Sequence, residues 1–268
     1  MPYVTSRDGT RIAFDKIGSG PPVIIVNGAM GHRNFYGDKP LAAMLAEHFT
    51  IYTYDRRGRG ESTDSEPYAV DREIEDIEAL ITDAGGSAFL YGVSSGAALT
   101  LNAAARLGKA RVRKVVLYEP PYGSDDIEEK QNFARQKARV SELVNTGQPG
   151  DAAAFFMAEL GTPPQAIQEM KGSSDWEAMK KVEDTLVYDF AILNQGAEGA
   201  VPHHIAKAAT MPALVADGEK TTEFMHATAD SLAQAMPHAQ RKTLKDQTHQ
   251  VAPEAMAPVL VEFFKGNE

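Results

Sequence analysis

The sequence predicts an α/β protein in which a mostly parallel sheet is flanked by helices and interrupted by a helical insertion. Strand-like and helix-like segments alternate through the first 121 residues and again after residue 207. Between residues 122 and 207 there are helix signals but no convincing strand. We therefore predict a core formed by residues 1–121 and 208–268, with an inserted helical cap over residues 122–207.

Hydrophobic periodicity defines the elements of the first segment. A hairpin with its turn at Asp8-Gly9 is predicted at the start, and the β-branched run at residues 23–26 is typical of a strand buried on both faces. An apolar stripe predicts an amphipathic helix over residues 71–84, which Gly85-Gly86 ends. The remaining elements predicted here are helices at residues 41–48 and 95–107 and strands at residues 49–54, 88–91 and 112–118.

Helix signals mark the insertion, and the alternation of strands and helices then resumes. Within the insertion, Asp151 can start a helix that Gly161 ends, and residues 174–177 fit a capping box that begins at Ser174. Beyond the insertion, strands are predicted at residues 213–216 and 240–244, and helices near residues 223–236 and 253–264. This return to alternation indicates that the helical segment interrupts a single sheet domain.

Composition limits the classes of partner. The 268 residues carry a formal net charge of -10 and include no cysteine. The negative charge repels a phosphate backbone, so no nucleic-acid partner is expected. The absence of cysteine excludes disulfides, thiolate zinc sites and cysteine nucleophiles. With no secretory signal and no apolar run long enough to span a bilayer, we expect a cytoplasmic protein without a membrane partner, and a homodimer stays open.

Residues 92–96, Gly-Val-Ser-Ser-Gly, lie between a predicted strand and a predicted helix. In this setting the Gly-x-Ser-x-Gly pattern is typical of a nucleophile elbow, a sharp turn that lifts the serine hydroxyl above the sheet. The flanking positions must be small to avoid collisions, and the N-terminal N–H groups of the helix point towards negative charge formed there. A Gly-Ser turn without chemistry is the alternative. The flanking elements favour Ser94 as a nucleophile.

These motifs resemble those of the α/β-hydrolase superfamily over almost the whole chain apart from the cap. Residues 23–29 resemble the strand that leads into the family's oxyanion loop, with Asn27-Gly28 where many members have His-Gly. Residues 55–62 resemble the family's Asp-x-x-Gly-x-Gly-x-Ser turn, in which Asp55 is expected to brace the turn. The resemblance implies an α/β-hydrolase fold. The oxyanion-hole donors that it implies are the backbone N–H groups of Ser95 and of Ala29 or Gly28.

His249 is the predicted general base. It follows the last predicted strand in a polar loop and precedes the final helix, which is where the family places its histidine. A serine hydroxyl needs such a base to remove its proton before it can attack a carbonyl. His203 and His204 are cap or hinge residues by position, and His32 could line the pocket, so none of the three suits this role.

The acid of the triad has two candidates. The commonest family position falls on Thr221, which cannot stabilise an imidazolium by charge. Asp217 lies at the end of the penultimate strand, and Glu119 at the end of the strand that follows the nucleophile helix. Fungal zearalenone lactonases resemble this chain in pairing a Gly-x-Ser-Ser-Gly elbow with a Glu-Pro after the next strand, here Glu119-Pro120. That resemblance favours Glu119, with Asp217 as the alternative acid.

The cap is expected to shape the substrate pocket because the catalytic groups lie beneath it. Met30, Trp176 and Tyr188 are candidate pocket residues, and packing within the cap is the alternative interpretation of each. Further candidates are Phe35, Tyr36, Phe155, Phe156, Met157 and Phe190. Together they indicate an apolar or aromatic small-molecule substrate. No phosphate-cradling loop or metal-ligand cluster stands out, so neither a cofactor nor a metal is expected.

The sequence therefore predicts a serine esterase or lactonase that cleaves a small-molecule carboxylic ester or lactone with Ser94, His249 and Glu119. Haloalkane dehalogenases and epoxide hydrolases need aspartate at the elbow, so Ser94 argues against both. A C–C bond hydrolase or a cofactor-free haloperoxidase would keep the same triad and stays open. A ligand receptor or a cyclase on the same scaffold also stays open, since either would tolerate the loss of Ser94.

Overall fold

The computed structural model describes residues 2–33, 38–195 and 197–266, without the side chain of Asp38. Two of the candidate pocket residues, Phe35 and Tyr36, lie outside the described residues. The strands are β1 (Tyr3–Thr5), β2 (Arg11–Gly18), β3 (Pro22–Val26), β4 (Thr50–Tyr54), β5 (Ala88–Val93), β6 (Val112–Tyr118), β7 (Ala213–Gly218) and β8 (Ala239–Leu244). They form one eight-stranded sheet in the order β1-β2-β4-β3-β5-β6-β7-β8.

The sheet is mostly parallel, which confirms the predicted fold class. β2 pairs antiparallel with both β1 and β4, and every later pairing, from β4-β3 to β7-β8, is parallel. In parallel strands the carboxyl ends meet at one edge of the sheet, which is where α/β proteins bind ligands. The ends of β3, β5, β6 and β7 therefore lie side by side.

Helices cover both faces of the sheet. The helices of the first segment are α1 (Asp38–Leu45), α2 (Val70–Asp83) and α3 (Ser95–Leu107). Those between β6 and β7 are α4 (Ile127–Thr146), α5 (Asp151–Glu159), α6 (Pro164–Met170), α7 (Ser174–Lys180), a 3-10 turn (Glu183–Thr185), α8 (Leu186–Leu193) and α9 (His203–Ala208). Those of the last segment are α10 (Glu223–Ala235) and α11 (Pro253–Lys265). No helix in the described ranges is long and apolar enough to cross a membrane.

The described residues between β6 and β7 form helices joined by loops and no strand, apart from an isolated bridge between Gly123 and Ala200. The start of α7 differs by one residue from the predicted capping box. Ser173, not Ser174, is the N-cap, and its hydroxyl accepts a hydrogen bond of 3.1 Å from the Trp176 N–H. Ser173 has the extended backbone that an N-cap requires, while Ser174 is already helical.

The core consists of two layers separated by the sheet. Alternate residues of β3 point to opposite faces, so Ile24 packs in the cluster that contains α2 and α3, while Ile25 packs in the cluster that contains α1 and α11. In the first cluster, Leu90 of β5 is fully buried. Fully burying a leucine side chain contributes about 1.5–3 kcal/mol. The sheet is therefore anchored on both faces, and its carboxyl edge is a rigid support for side chains.

We expect Leu90→Ala to lower the free energy of unfolding by about 2–5 kcal/mol, because the substitution leaves a cavity under the central strands. Leu160→Ala is the matched control. Leu160 is 64% exposed at the end of α5, so the same substitution there should change the free energy by no more than about 0.5 kcal/mol. Urea unfolding followed by circular dichroism measures both. Equal losses in the two variants would contradict this description of the core.

Candidate active site

Ser94 lies in the tight turn between β5 and α3. Its backbone has φ 57° and ψ -131°, a conformation that L-residues rarely adopt and that costs about 1–3 kcal/mol. A Cβ atom at Gly92 would collide with the Thr100 hydroxyl, and one at Gly96 would collide with the Val26 carbonyl oxygen. The turn therefore requires small residues on both sides of Ser94, as the sequence pattern predicts.

The loop after β3 packs directly against the nucleophile. A Cβ atom at Gly28 would lie 2.9 Å from the Cβ of Ser94, so only glycine permits this approach. The N–H groups of Ala29 and Ser95, the two predicted oxyanion donors, donate no hydrogen bond to any group in the described part of the chain. Neither backbone N–H group therefore has a hydrogen-bond acceptor among the described residues.

Glu119 is fully buried at the carboxyl end of β6. Its backbone has a φ of 46°, which is unusual for a residue with a bulky side chain. Its Oε1 accepts a hydrogen bond of 2.8 Å from the Gly218 N–H, and its Oε2 accepts one of 3.1 Å from the Thr221 hydroxyl. A carboxylate in this position needs such donors, because burying an unpaired charge is very costly.

His249 is bonded to the same carboxylate. Its Nδ1–H donates to Glu119 Oε2 at 2.6 Å, and 39% of its side chain is exposed. The loop that carries His249 is attached to β6, because the Tyr118 hydroxyl donates to the Thr248 carbonyl at 2.5 Å. Burial and the nearby Glu119 carboxylate raise the pKa of the Tyr118 phenol, which keeps it protonated as a donor. No hydrogen bond joins Ser94 to His249 among the described residues.

Asp217, the alternative acid, is bonded to other groups. Its Oδ1 accepts a hydrogen bond of 2.8 Å from Arg241 Nη1, and its Oδ2 accepts one from Arg241 Nη2 and one of 2.6 Å from His226 Nδ1. The strand-end carboxylate that contacts His249 is therefore that of Glu119. Asp217 lies one residue before Gly218, so it sits beside the Glu119 site without sharing its partners.

The candidate pocket residues occupy two different environments. Met30 packs in the same apolar cluster as Trp176 and other side chains of the helices between β6 and β7, and Ala29 lies against this cluster. The side chain of Tyr188 instead stacks on Tyr68 with 3.7 Å between ring centroids, and its hydroxyl donates to Asp64 at 2.7 Å. The segment between β6 and β7 is therefore in contact with the loop after β3 through Met30 and Ala29.

A buried cluster of charges lies beside the loop after β3 and was not predicted from the sequence. Asp55 does brace its turn, since it accepts hydrogen bonds from the N–H groups of Arg33 and Glu61. Two arginines of the same turn, Arg56 and Arg59, are also buried and both pair with Asp189 of α8 at 2.7 Å. The signal available in the sequence was the density of arginine in a turn whose glycines leave little room, at residues 56–60.

The chain is similar to one family model and to solved structures of the same fold. A family model described as "Alpha/beta hydrolase family" matches residues 23–262. A solved alpha/beta hydrolase from Sphaerobacter thermophilus DSM 20745 is 44% identical, with a TM-score of 0.86 over 98% of this chain and 100% of that one. An enol-lactonase from Burkholderia xenovorans LB400 is 22% identical, with a TM-score of 0.72 over 98% of this chain and 99% of that one, which shows the fold alone.

A curated relative from Synechocystis sp. is described as "Putative non-heme chloroperoxidase". It is 29% identical over 126 residues, which are 45% of this chain and 45% of the relative. The matched stretch thus spans less than half of that protein. Similarity of this extent leaves the reaction to be argued from the site itself.

The surroundings of Asp217 predict a pH dependence of stability. Burial alone would raise the pKa of Asp217, but hydrogen bonds from Arg241, Thr243 and His226 lower it below the ordinary value. A carboxyl whose pKa is lower in the folded state stabilises the fold above its unfolded pKa of about 3.9, and this stabilisation is lost as the pH falls through the folded pKa. Asp217→Asn should therefore lower the free energy of unfolding by about 3 kcal/mol near neutral pH and by less in acid.

Urea unfolding at about pH 7 and about pH 3 measures this difference. Asp230→Asn is the control, because Asp230 is exposed and pairs with the same Arg241 at 2.8 Å. An exposed pair contributes only about 0–1 kcal/mol, so this variant should resemble the natural protein at both pH values. A loss in Asp217→Asn that is the same at both pH values would contradict the prediction.

Proposed function

The chain belongs to the alpha/beta hydrolase family, and on this premise we propose that it is a serine hydrolase that cleaves a carboxylic ester or lactone of an apolar small molecule. The observation that carries the proposal is the 2.6 Å hydrogen bond between Glu119 and His249, on the edge of the sheet where Ser94 occupies a nucleophile elbow. In the proposed reaction Glu119 is the acid of the triad, His249 the base and Ser94 the nucleophile. Zearalenone lactonases, with their glutamate after the corresponding strand, resemble it in the order of these groups.

The reaction proceeds by two acyl transfers. His249 removes the proton from the Ser94 hydroxyl as the oxygen attacks the substrate carbonyl, and Glu119 stabilises the imidazolium that forms. The N–H groups of Ala29 and Ser95 donate to the oxyanion of the tetrahedral intermediate. His249 then protonates the leaving alkoxide, which gives an acyl-enzyme. A water molecule, activated by His249, attacks this ester, and the acid is released while Ser94 regains its proton.

The surface near the oxyanion loop supports an apolar substrate. Ala29 lies against the apolar cluster of Met30, Trp176 and Phe190. Further half-buried side chains of this cluster are Phe133, Phe155, Phe156 and Met157. Aromatic and thioether groups with residual exposure favour an apolar acyl or alcohol group over a sugar phosphate. We propose that the insertion between β6 and β7 is a cap that provides this surface.

A second candidate is a cofactor-free haloperoxidase-type reaction, which the similarity to the Synechocystis protein favours. The same acyl-enzyme would be attacked by hydrogen peroxide in place of water. The products would then be a peracid and free Ser94. Both reactions require the same nucleophile, so they are distinguished by the acyl acceptor and not by the triad.

Ser94→Ala should abolish turnover of a panel of aryl esters and macrolactones, with a loss in kcat of at least about 10⁴-fold, because no other nucleophile is in place. Ser174→Ala is the control, since Ser174 is exposed on a cap helix. Steady-state hydrolysis, followed by release of the aryl alcohol or by chromatography of the opened lactone, measures the rates. If turnover is absent or equal in the natural and Ser94→Ala proteins, the proposal is contradicted and a receptor or a cyclase is favoured. Formation of a peracid when hydrogen peroxide is added would identify the second candidate.

Glu119→Gln should lower kcat by about 10³–10⁴-fold, because an amide cannot stabilise the imidazolium and does not hold the same tautomer. Asp217→Asn is compared with it, and should lose far less activity at a temperature at which both proteins are folded, because Asp217 bonds Arg241 and His226. The same aryl ester serves for both variants. A larger loss in Asp217→Asn than in Glu119→Gln would exchange the roles of the two carboxylates.

A further inference from the structure

The Gly28–Ala29 peptide bears a proposed oxyanion donor on one side and is bonded to a buried arginine on the other. Arg59 Nη1 donates to the Gly28 carbonyl oxygen at 2.6 Å and to the Gly31 carbonyl oxygen at 3.3 Å. A trans peptide is planar, and its C=O and N–H point in opposite directions. We infer that Arg59 is a positioning residue that fixes the direction of the Ala29 N–H, an inference that rests on the function proposed above.

Arg59 is itself held from two further directions. Its side chain is fully buried, its Nη2 pairs with Asp189 Oδ2 at 2.7 Å, and its Nε donates to the Thr185 hydroxyl at 2.9 Å. The guanidinium is a rigid planar fork, so these bonds leave it little freedom to rotate. The group that contacts Gly28 therefore keeps one position, and with it the peptide.

Asp189 connects the same cluster to the second donor. Its Oδ1 accepts hydrogen bonds of 2.8 Å from the Ser95 hydroxyl and 2.7 Å from Arg56 Nη1. Arg56 Nη1 also donates to the Asn27 carbonyl at 3.3 Å. One carboxylate of the cap helix α8 thus joins the residue that follows the nucleophile to the loop that follows β3. Asp189 therefore contacts Ser95, whose N–H is one proposed donor, and Arg59, which bonds the peptide of the other.

The cluster contains two positively and two negatively charged side chains. Arg56 and Arg59 are opposed by Asp189 and Glu73, and all four side chains are buried. Burial alone would raise the pKa of Asp189, but the charges of Arg59 and Arg56 lower it below the ordinary value. The positive charge of Arg59, bonded to the Gly28 carbonyl oxygen, also polarises the peptide. This makes the Ala29 N–H a stronger donor to an oxyanion. Arg59 therefore both orients and strengthens that donor.

Arg57 provides a matched control for Arg59. It belongs to the same turn and is equally buried, but it bonds to Asp76, Asp8 and the Arg72 carbonyl. None of these groups belongs to the oxyanion loop. Arg57→Gln and Arg59→Gln each remove a buried guanidinium, and only the second releases the Gly28 carbonyl.

The first measurement is of kcat, KM and inhibition by a trifluoromethyl ketone, whose adduct with Ser94 carries an oxyanion. Arg59→Gln should lower kcat about 100-fold, which is comparable to the effect of removing one oxyanion donor, and should leave KM unchanged. Binding of the ketone should weaken by the factor that kcat/KM loses, as for a transition-state analogue. Arg57→Gln should lower the thermal midpoint and keep its kcat. Equal losses of kcat in the two variants, or a rise in KM alone, would overturn the inference.

The second measurement needs no substrate. Labelling glycine with carbonyl ¹³C and alanine with ¹⁵N selects the four Gly-Ala pairs of the sequence, and Ala29→Gly identifies the signal of the Gly28–Ala29 pair by removing it. The Gly28 carbonyl resonance should move upfield in Arg59→Gln, where it loses a hydrogen bond, and stay in place in Arg57→Gln. If Arg59→Gln does not fold, Asp189→Asn is used instead. It keeps the shape of the side chain but weakens the ion pair that holds Arg59, so the Gly28 resonance should move in the same direction by a smaller amount.

The two measurements separate the two proposals. Ser94-independent turnover together with a shifted Gly28 resonance would overturn the proposed function and retain the contact that positions the peptide. Ser94-dependent turnover with an unmoved resonance and an unchanged kcat in Arg59→Gln would overturn the positioning role alone.

Discussion

The site depends on the parallel pairing of β5 and β6. In this register Val93 is opposite Tyr118, and the Ser94 N–H donates to the Tyr118 carbonyl at 2.9 Å. The residues that follow the two strands are Ser94 and Glu119, so the register brings the proposed nucleophile and acid to the same edge. A shift by one residue would turn these side chains to the opposite face of the sheet. The proximity of the proposed nucleophile and acid is therefore a consequence of the register of β5 and β6.

Much of this arrangement could be predicted from the sequence, because its signals are local. The elbow is a five-residue pattern between a strand and a helix, and His249 follows the last strand. The choice between Glu119 and Asp217 was not local, since both carboxylates end a strand. It depends on partners far along the chain, namely the Gly218 N–H for Glu119 and Arg241 for Asp217.

Thr221 shows how the departure from the common family pattern is accommodated. The commonest position of the acid falls on this threonine, which cannot stabilise an imidazolium by charge. In the structure its hydroxyl donates to Glu119 Oε2, the oxygen that also accepts from His249. The position thus keeps a place in the hydrogen-bonded network while the carboxylate comes from another strand. This bond could not be predicted from the sequence, because it joins residues 102 positions apart.

The least predictable part of the site is the link between α8 and the loop after β3. Asp189 is 130 residues from Arg59 along the chain, and in the sequence it reads only as a charge within an apolar helix. Met30 has a φ of 56°, a conformation that costs about 1–3 kcal/mol. Arg59 donates to the carbonyls of Gly28 and Gly31 on either side of Met30, and the Met30 side chain packs in the apolar cluster of Trp176. Strain of this kind persists only where the surroundings determine the backbone from several sides. The loop after β3 therefore takes its shape from the segment between β6 and β7 as well as from the sheet.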